Sequence, residues 1–104
     1  ISGKLLASSH YAATKGGITA FTRRLSMEAA PYNVAVNCIA PGLIADTGFT
    51  CMIKGELLET YLTGIPANRP GTCEEIGELT AYLCSEHAGY IIGQTIVIDG
   101  GAST

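Results

Sequence analysis

The sequence of 104 residues predicts an α/β fold, the C-terminal part of a larger parallel-sheet domain, on three observations. Val34-Ala35-Val36-Asn37-Cys38-Ile39-Ala40 is a short, nearly continuous apolar run, and Gln94-Thr95-Ile96-Val97-Ile98-Asp99 reads as a second one, as expected of parallel strands buried on both faces. The segments before and between these runs carry apolar residues at helical spacing with start and stop signals at their ends. Two parallel strands alone leave edges and apolar faces uncovered, so the unit needs further strands and helices around it.

The elements follow in order. A helix is expected from about Ser9 to Ala30, with Ser8 or Ser9 as cap, Ile18, Phe21 and Leu25 facing inward, and Pro31 and Asn33 ending it. Gly16 and Gly17 within it cost about 1 kcal/mol each relative to Ala, so a close backbone or ligand is expected there. Phe21 and Met27 read as packing residues, and Arg23 and Arg24 with Glu28 as a surface charge cluster. The first strand stops at Pro41-Gly42. After a loop through Thr50, Leu57, Leu58, Tyr61 and Leu62 mark one side of a short helix from about Ile53, closed by Gly64 and Pro66. Thr72-Cys73-Glu74-Glu75 fits a capping box, opening a helix to about Ser85 with Ile76, Leu79 and Leu83 inward. His87 follows, where a cation suits the helix dipole. Gly100-Gly101 ends the second strand.

One stretch carries a chemical signal. In His10-Tyr11-Ala12-Ala13-Thr14-Lys15, a helical backbone puts Tyr11 and Lys15 one turn apart on the same face. A free phenol ionises near pH ~10, and a neighbouring cation favours the phenolate, which suits a general acid or base at neutral pH. The same spacing occurs on many solvated helices, so the bare pair leaves both readings open. His10 reads as a solvated helix-start residue.

Composition excludes several classes. With 47% hydrophobic and 14% charged residues the chain is neither disordered nor larger than one domain. A net charge of −3 provides no basic surface, so nucleic acid is not an expected partner. No apolar run reaches the roughly 20 residues of a membrane helix, and no signal peptide is recognisable, so a cytoplasmic location is expected. Cys38, Cys51, Cys73 and Cys84 are irregularly spaced with no His at ligand spacing; they read as reduced, mostly buried thiols, and no metal is expected.

Four motifs together resemble the short-chain dehydrogenase/reductase family in its classical form. They are Tyr11-x-x-x-Lys15 opening a helix, Asn37-x-x-x-Pro41-Gly42 ending the next strand, Arg69-Pro70-Gly71-Thr72-x-Glu74-Glu75 before a helix, and Gly93-Gln94-Thr95 leading to Asp99-Gly100-Gly101. The resemblance covers nearly the whole chain. It implies a Rossmann-type doubly wound parallel sheet, with residues 1–104 as the C-terminal part of one NAD(P)-binding domain. It also implies hydride transfer between NAD or NADP and a small carbonyl or alcohol substrate. Tyr11 would exchange the proton with the substrate oxygen, and Lys15 would favour its phenolate and hold the nicotinamide ribose.

By the same resemblance, Pro41, Gly42 and the backbone around Ile44 would hold the carboxamide. The family's hydroxyl five positions after the Pro is Asp46 here, so that role passes to Thr47. Apart from the resemblance, Thr50 to Gly64 is expected to close over substrate as a loop on a rigid scaffold, and its Cys51, Met52, Ile53, Leu57 and Leu58 read either as an apolar acceptor pocket or as the underside of a helix. The overall look is nearest to 3-oxoacyl carrier-protein reductases and to sugar or polyol dehydrogenases. A homodimer or homotetramer is implied, because in the family the Tyr/Lys helix packs against its counterpart.

Ile1-Ser2-Gly3 resembles the tail of the family's catalytic Ser segment, which would put that Ser before Ile1. The Gly-rich phosphate loop, the ribose selector and the family's helix Asn also have no counterpart among these residues. The alternative expectation is therefore a non-catalytic piece that packs against other chains.

Overall fold

The computed structural model describes residues 8–104, so Ile1-Ser2-Gly3 lies outside the described residues. The order is helix α1 (Ser9–Ala29), a 3₁₀ turn (Ala30–Tyr32), β1 (Cys38–Pro41), α2 (Gly48–Met52), α3 (Glu56–Thr63), α4 (Cys73–Leu83), a second 3₁₀ turn (Glu86–Ala88) and β2 (Thr95–Ile98). The two strands pair in parallel, with Cys38 opposite Thr95 and Pro41 opposite Ile98. This is the parallel pair expected from the two apolar runs.

Helix α1 begins where predicted. Ser8 is extended at the N-cap and its carbonyl accepts from Ala12 N–H at 3.0 Å, but its side chain makes no cap bond to the helix backbone; the hydroxyl lies 3.1 Å from His10 Nε2 instead. The helix stops at Ala29, the 3₁₀ turn contains Pro31, and Asn33 at φ 62° reverses the chain. Arg24 and Glu28 pair at 2.8 Å across one exposed turn.

The predicted inward stripe of α1 is corrected. Its buried residues are Thr22 and Ser26, at 6% and 4% exposure, while Ile18 and Phe21 are 45% and 64% exposed and Leu25 is half-buried. Met27 is exposed as well. The reason is steric: a Cβ on Gly93 would lie 2.5 Å from Ser26 Oγ, so this side of the helix approaches closely and admits only small side chains. Gly16 and Gly17 have nothing within 4 Å of where a Cβ would sit, so the close neighbour expected there is not among the described residues.

Strand β1 is shorter than the apolar run and shifted toward its end. Asn37 replaces ladder bonds with its side chain, donating from Nδ2 to Ile91 O at 2.7 Å and accepting from Gln94 N–H at 3.0 Å. Val34–Asn37 therefore stay outside the ladder. Donors toward β2 run from Cys38 (to Gln94 O, 2.8 Å) to Gly42 (to Ile98 O, 3.0 Å) in alternation. The missing N–H of Pro41 thus falls on the side away from β2, which lets a proline close the strand.

The predicted loop through Thr50 contains α2, and the predicted helix from Ile53 starts only at Glu56, after Gly55 at φ 63°. Between the two helices Ile53 is extended and buried. The capping box of α4 is present: Glu75 N–H donates to Thr72 Oγ1 at 3.1 Å and Thr72 N–H to Glu75 Oε2 at 2.9 Å. Arg69 adds a bond to Glu75 Oε1 at 2.6 Å. That guanidinium first, then the Thr72 N–H, holds the Glu75 carboxyl at about 2, well below its ordinary 4.5.

Among the described residues the buried apolar side chains are Ile53, Ile65 and Ala88. The accessible surface is 7620 Å², against about 5,500 Å² for a compact monomer of this mass. Much apolar surface therefore stays open within the chain. The thiols share in this: all four are free, Cys51, Cys73 and Cys84 are exposed and Cys38 is half-buried, which corrects the expectation of buried cysteines.

Candidate active site

Tyr11 and Lys15 occupy the first turns of α1, on the face that looks across the carboxyl end of β1. The ammonium of Lys15 lies 5.4 Å from the centre of the Tyr11 ring. This is cation–π distance, and it keeps the positive charge beside the phenol.

Tyr11 borders two hollows. The larger, about 530 Å³, is lined by Tyr11, Pro41, Gly42, Leu43, Ile44, Thr47, Phe49 and Tyr61. The other, about 330 Å³, is bounded by Tyr11, Lys15, Ile18, Thr19 and residues 38–41. Tyr11 and Pro41 line both. The structure thus brings Tyr11, Pro41, Gly42, Ile44 and Thr47 to one cleft, with Lys15 in the adjoining hollow. The place fits the chemistry, because crevices beyond the carboxyl ends of parallel strands are where ligands bind in open α/β sheets.

The floor of the cleft is fixed by close packing. A Cβ on Gly42 would lie 2.7 Å from Asp99 Cβ and 2.8 Å from its Cα, so only glycine lets β1 pass the end of β2 here. Asp99 is itself held: its carboxylate accepts from the Ser103 and Gly101 N–H groups, both at 2.9 Å. Hydrogen bonds from Ser103 and then Gly101 keep its pKa below the ordinary range. Further along, Ile44 and Gly71 form a parallel bridge, with Gly71 N–H donating to Leu43 O and Ala45 N–H to Gly71 O. Because Leu43 and Ala45 make those bonds, the peptide groups of Ile44 point the other way. Its carbonyl accepts from Thr47 Oγ1 at 3.0 Å, and its N–H has no partner among the described residues.

Asp46 and Thr47 part company. Asp46 adopts φ 58°, a left-handed conformation that Asp tolerates better than most residues. The turn makes Thr47 the N-cap of α2, accepting from Thr50 N–H at 3.4 Å. Thr47 faces the Tyr11 cleft with its hydroxyl engaged in this cap, whereas Asp46 lines a separate hollow with Ala45, Thr50, Cys51, Leu58 and Pro70.

The expected apolar acceptor wall is corrected. Ile53 is buried beneath the segment, Cys51 and Leu58 face the separate hollow, and Met52 and Leu57 are exposed. The side chains that do line the cleft are Phe49 and Tyr61, one ring edge-on to the other at 6.2 Å and 89°. Sequence reasoning passed over Phe49; the available signal was its place two residues after Thr47, on the first turn of a capped helix. Among the described residues no group of His, Cys, Asp and Glu is arranged to hold a metal.

A family profile described as enoyl-(acyl carrier protein) reductase matches residues 4–103. The 3-oxoacyl-(acyl-carrier-protein) reductase FabG of Chlamydia pneumoniae is 42% identical over 92 residues, covering 88% of this chain and 37% of that protein. Nodulation protein G of Rhizobium meliloti is 40% identical over the same shares. Among solved structures, a short chain dehydrogenase from Bacillus anthracis aligns with a TM-score of 0.81 at 41% identity, over 91% of this chain and 37% of that one. The chain spans little more than a third of the length of these relatives.

Proposed function

The chain belongs to the short-chain dehydrogenase/reductase family, and on that premise we propose that it serves hydride transfer between NADH or NADPH and a carbonyl or alcohol. The observation that carries the reading is the meeting of Tyr11 with the Pro41–Thr47 floor in one cleft, Lys15 beside the phenol. In reduction, the Tyr11 hydroxyl donates its proton to the carbonyl oxygen; in oxidation, it takes the proton from the alcohol. Proton transfer by a positioned group contributes roughly 10² to 10⁴ in rate. The nearby Lys15 ammonium stabilises negative charge on the phenol oxygen and offers donors to ribose hydroxyls.

The residues at hand fit the nicotinamide end of the cofactor. The Ile44 N–H, without a partner among the described residues, is a donor for the carboxamide, Pro41 and Gly42 give a wall without protruding polar groups, and Thr47 stands beside them. When bound, the nicotinamide supplies or receives the hydride. NAD and NADP are equally compatible with these residues.

We place residues 1–104 in the C-terminal part of a single NAD(P)-binding domain, cytoplasmic and acting as a homodimer or homotetramer. Exposed Ile18 and Phe21 and the open space around Gly16 and Gly17 support the assembly. Among the described residues no helix is long and apolar enough to cross a membrane. The same exposed face favours a second reading, in which these residues pack against other chains and carry no chemistry. The test is fluorescence titration with NADH and NADPH, with carbonyl-dependent oxidation of the bound cofactor by the complete protein. Saturable binding and turnover are expected; absence of both leaves the packing role alone.

A further inference from the structure

We infer that Asp99 is a positioning residue for the cleft: its carboxylate locks the turn wedged between Gly42 and the exit of α3, and so fixes the wall that receives the nicotinamide ring. The inference rests on the oxidoreductase reading above and adds a residue to that same site.

The turn that follows β2 is in contact on two sides. On one, Gly42 N–H donates to Ile98 O at 3.0 Å, and a Cβ on Gly42 would lie 2.7 Å from Asp99 Cβ. On the other, Gly100 O accepts from Ala67 N–H at 3.0 Å. A Cβ on Gly100 would lie 2.8 Å from Ile65 Cγ2, and one on Gly101 would lie 3.0 Å from Pro66 Cγ. Ile65 is buried and its N–H donates to Leu62 O at 3.0 Å, which joins this side to the end of α3, whose Tyr61 lines the cleft. One turn therefore abuts the cleft floor and the segment that carries a second lining residue.

The backbone of this turn needs a restraint. Gly100 and Gly101 stand at φ 65° and 90°, and glycine loses more freedom than any other residue when it is held in one conformation. The Asp99 carboxylate supplies the restraint, with a separate duty for each oxygen: Oδ1 accepts from Gly101 N–H and Oδ2 from Ser103 N–H, both at 2.9 Å. Bonds to an ionised acceptor are roughly twice as strong as neutral ones. The side chain thus divides its work, its Cβ standing against Gly42 and its oxygens tying the turn.

The test uses the complete protein and compares, by calorimetry, affinity for the reduced nicotinamide cofactor with affinity for the matching ADP-ribose, which lacks the nicotinamide. Asp99→Ala keeps the Cβ beside Gly42 and removes only the oxygens. It should weaken reduced-cofactor binding about tenfold, because a ring wall must be held to within a fraction of an ångström, and leave ADP-ribose within about twofold. Asp99→Asn keeps one acceptor oxygen and should give an intermediate loss of about threefold to fivefold, again confined to the nicotinamide-bearing ligand. If Asp99→Ala does not fold, the Asn variant decides by the same ratio. Equal losses on both ligands would mean a merely structural role and overturn the inference, as would unchanged affinity for both. Wild-type protein that binds no nicotinamide cofactor removes the oxidoreductase reading itself, and this inference with it.

Discussion

The two walls of the cleft are held in different ways. The floor from Pro41 to Thr47 is gripped by its own chain: Asp99 stands against Gly42, Gly71 bridges Ile44, and Thr47 caps α2. The opposite wall, α1, buries only Thr22 and Ser26, both well beyond Lys15, while Tyr11, Lys15 and the two glycines stand on a stretch with open surroundings. The lesson is that the floor can be pre-organised by local packing, whereas little within the described residues holds the turn that carries Tyr11 and Lys15.

The sharpest break in this comparison comes from adding one methyl group to each wall. Gly42→Ala forces a carbon into the Asp99 backbone and should destabilise by about 1 to 3 kcal/mol, as overpacking does, read from urea denaturation. An unchanged midpoint would mean the floor yields. Gly17→Ala meets nothing and should stabilise the 104-residue chain by up to about 1 kcal/mol through helix propensity. In an assembly where a partner closes on this face the same change should weaken association, which sedimentation would reveal.

A smaller effect concerns the cap beneath the floor. Thr72→Ala removes the acceptor for Glu75 N–H and should cost about 1 kcal/mol, with α1 helicity unaffected. The mildest test is titration. Because Arg69 and the Thr72 N–H depress the folded Glu75 pKa to about 2, its contribution is fully present above its ordinary 4.5 and is lost as pH falls toward 2. The melting temperature of the native chain should therefore fall more steeply below pH 4.5 than that of Glu75→Gln; parallel curves would remove the ion pair from the account.

What the sequence made legible follows the same division. Local chemistry announced the capping box at Thr72, the stop at Pro41-Gly42, the parallel strands and the Tyr11/Lys15 turn. The inner face of α1 was not legible, because apolar Ile18 and Phe21 look like core residues whether they meet this chain or another. The ladder of β1 was misplaced because a side chain, Asn37, took over bonds that periodicity assigns to backbone. The aromatic wall was missed because Phe49 belongs to a helix of only five residues, too short to show a period.

The most direct test of the account is a single-turnover measurement on the complete protein preloaded with reduced cofactor, comparing wild type with Tyr11→Phe. A fall of about 10² or more in the rate of carbonyl reduction, with cofactor affinity unchanged, is the predicted result. A rate within about threefold of wild type would contradict it, because proton transfer would then come from a group other than Tyr11.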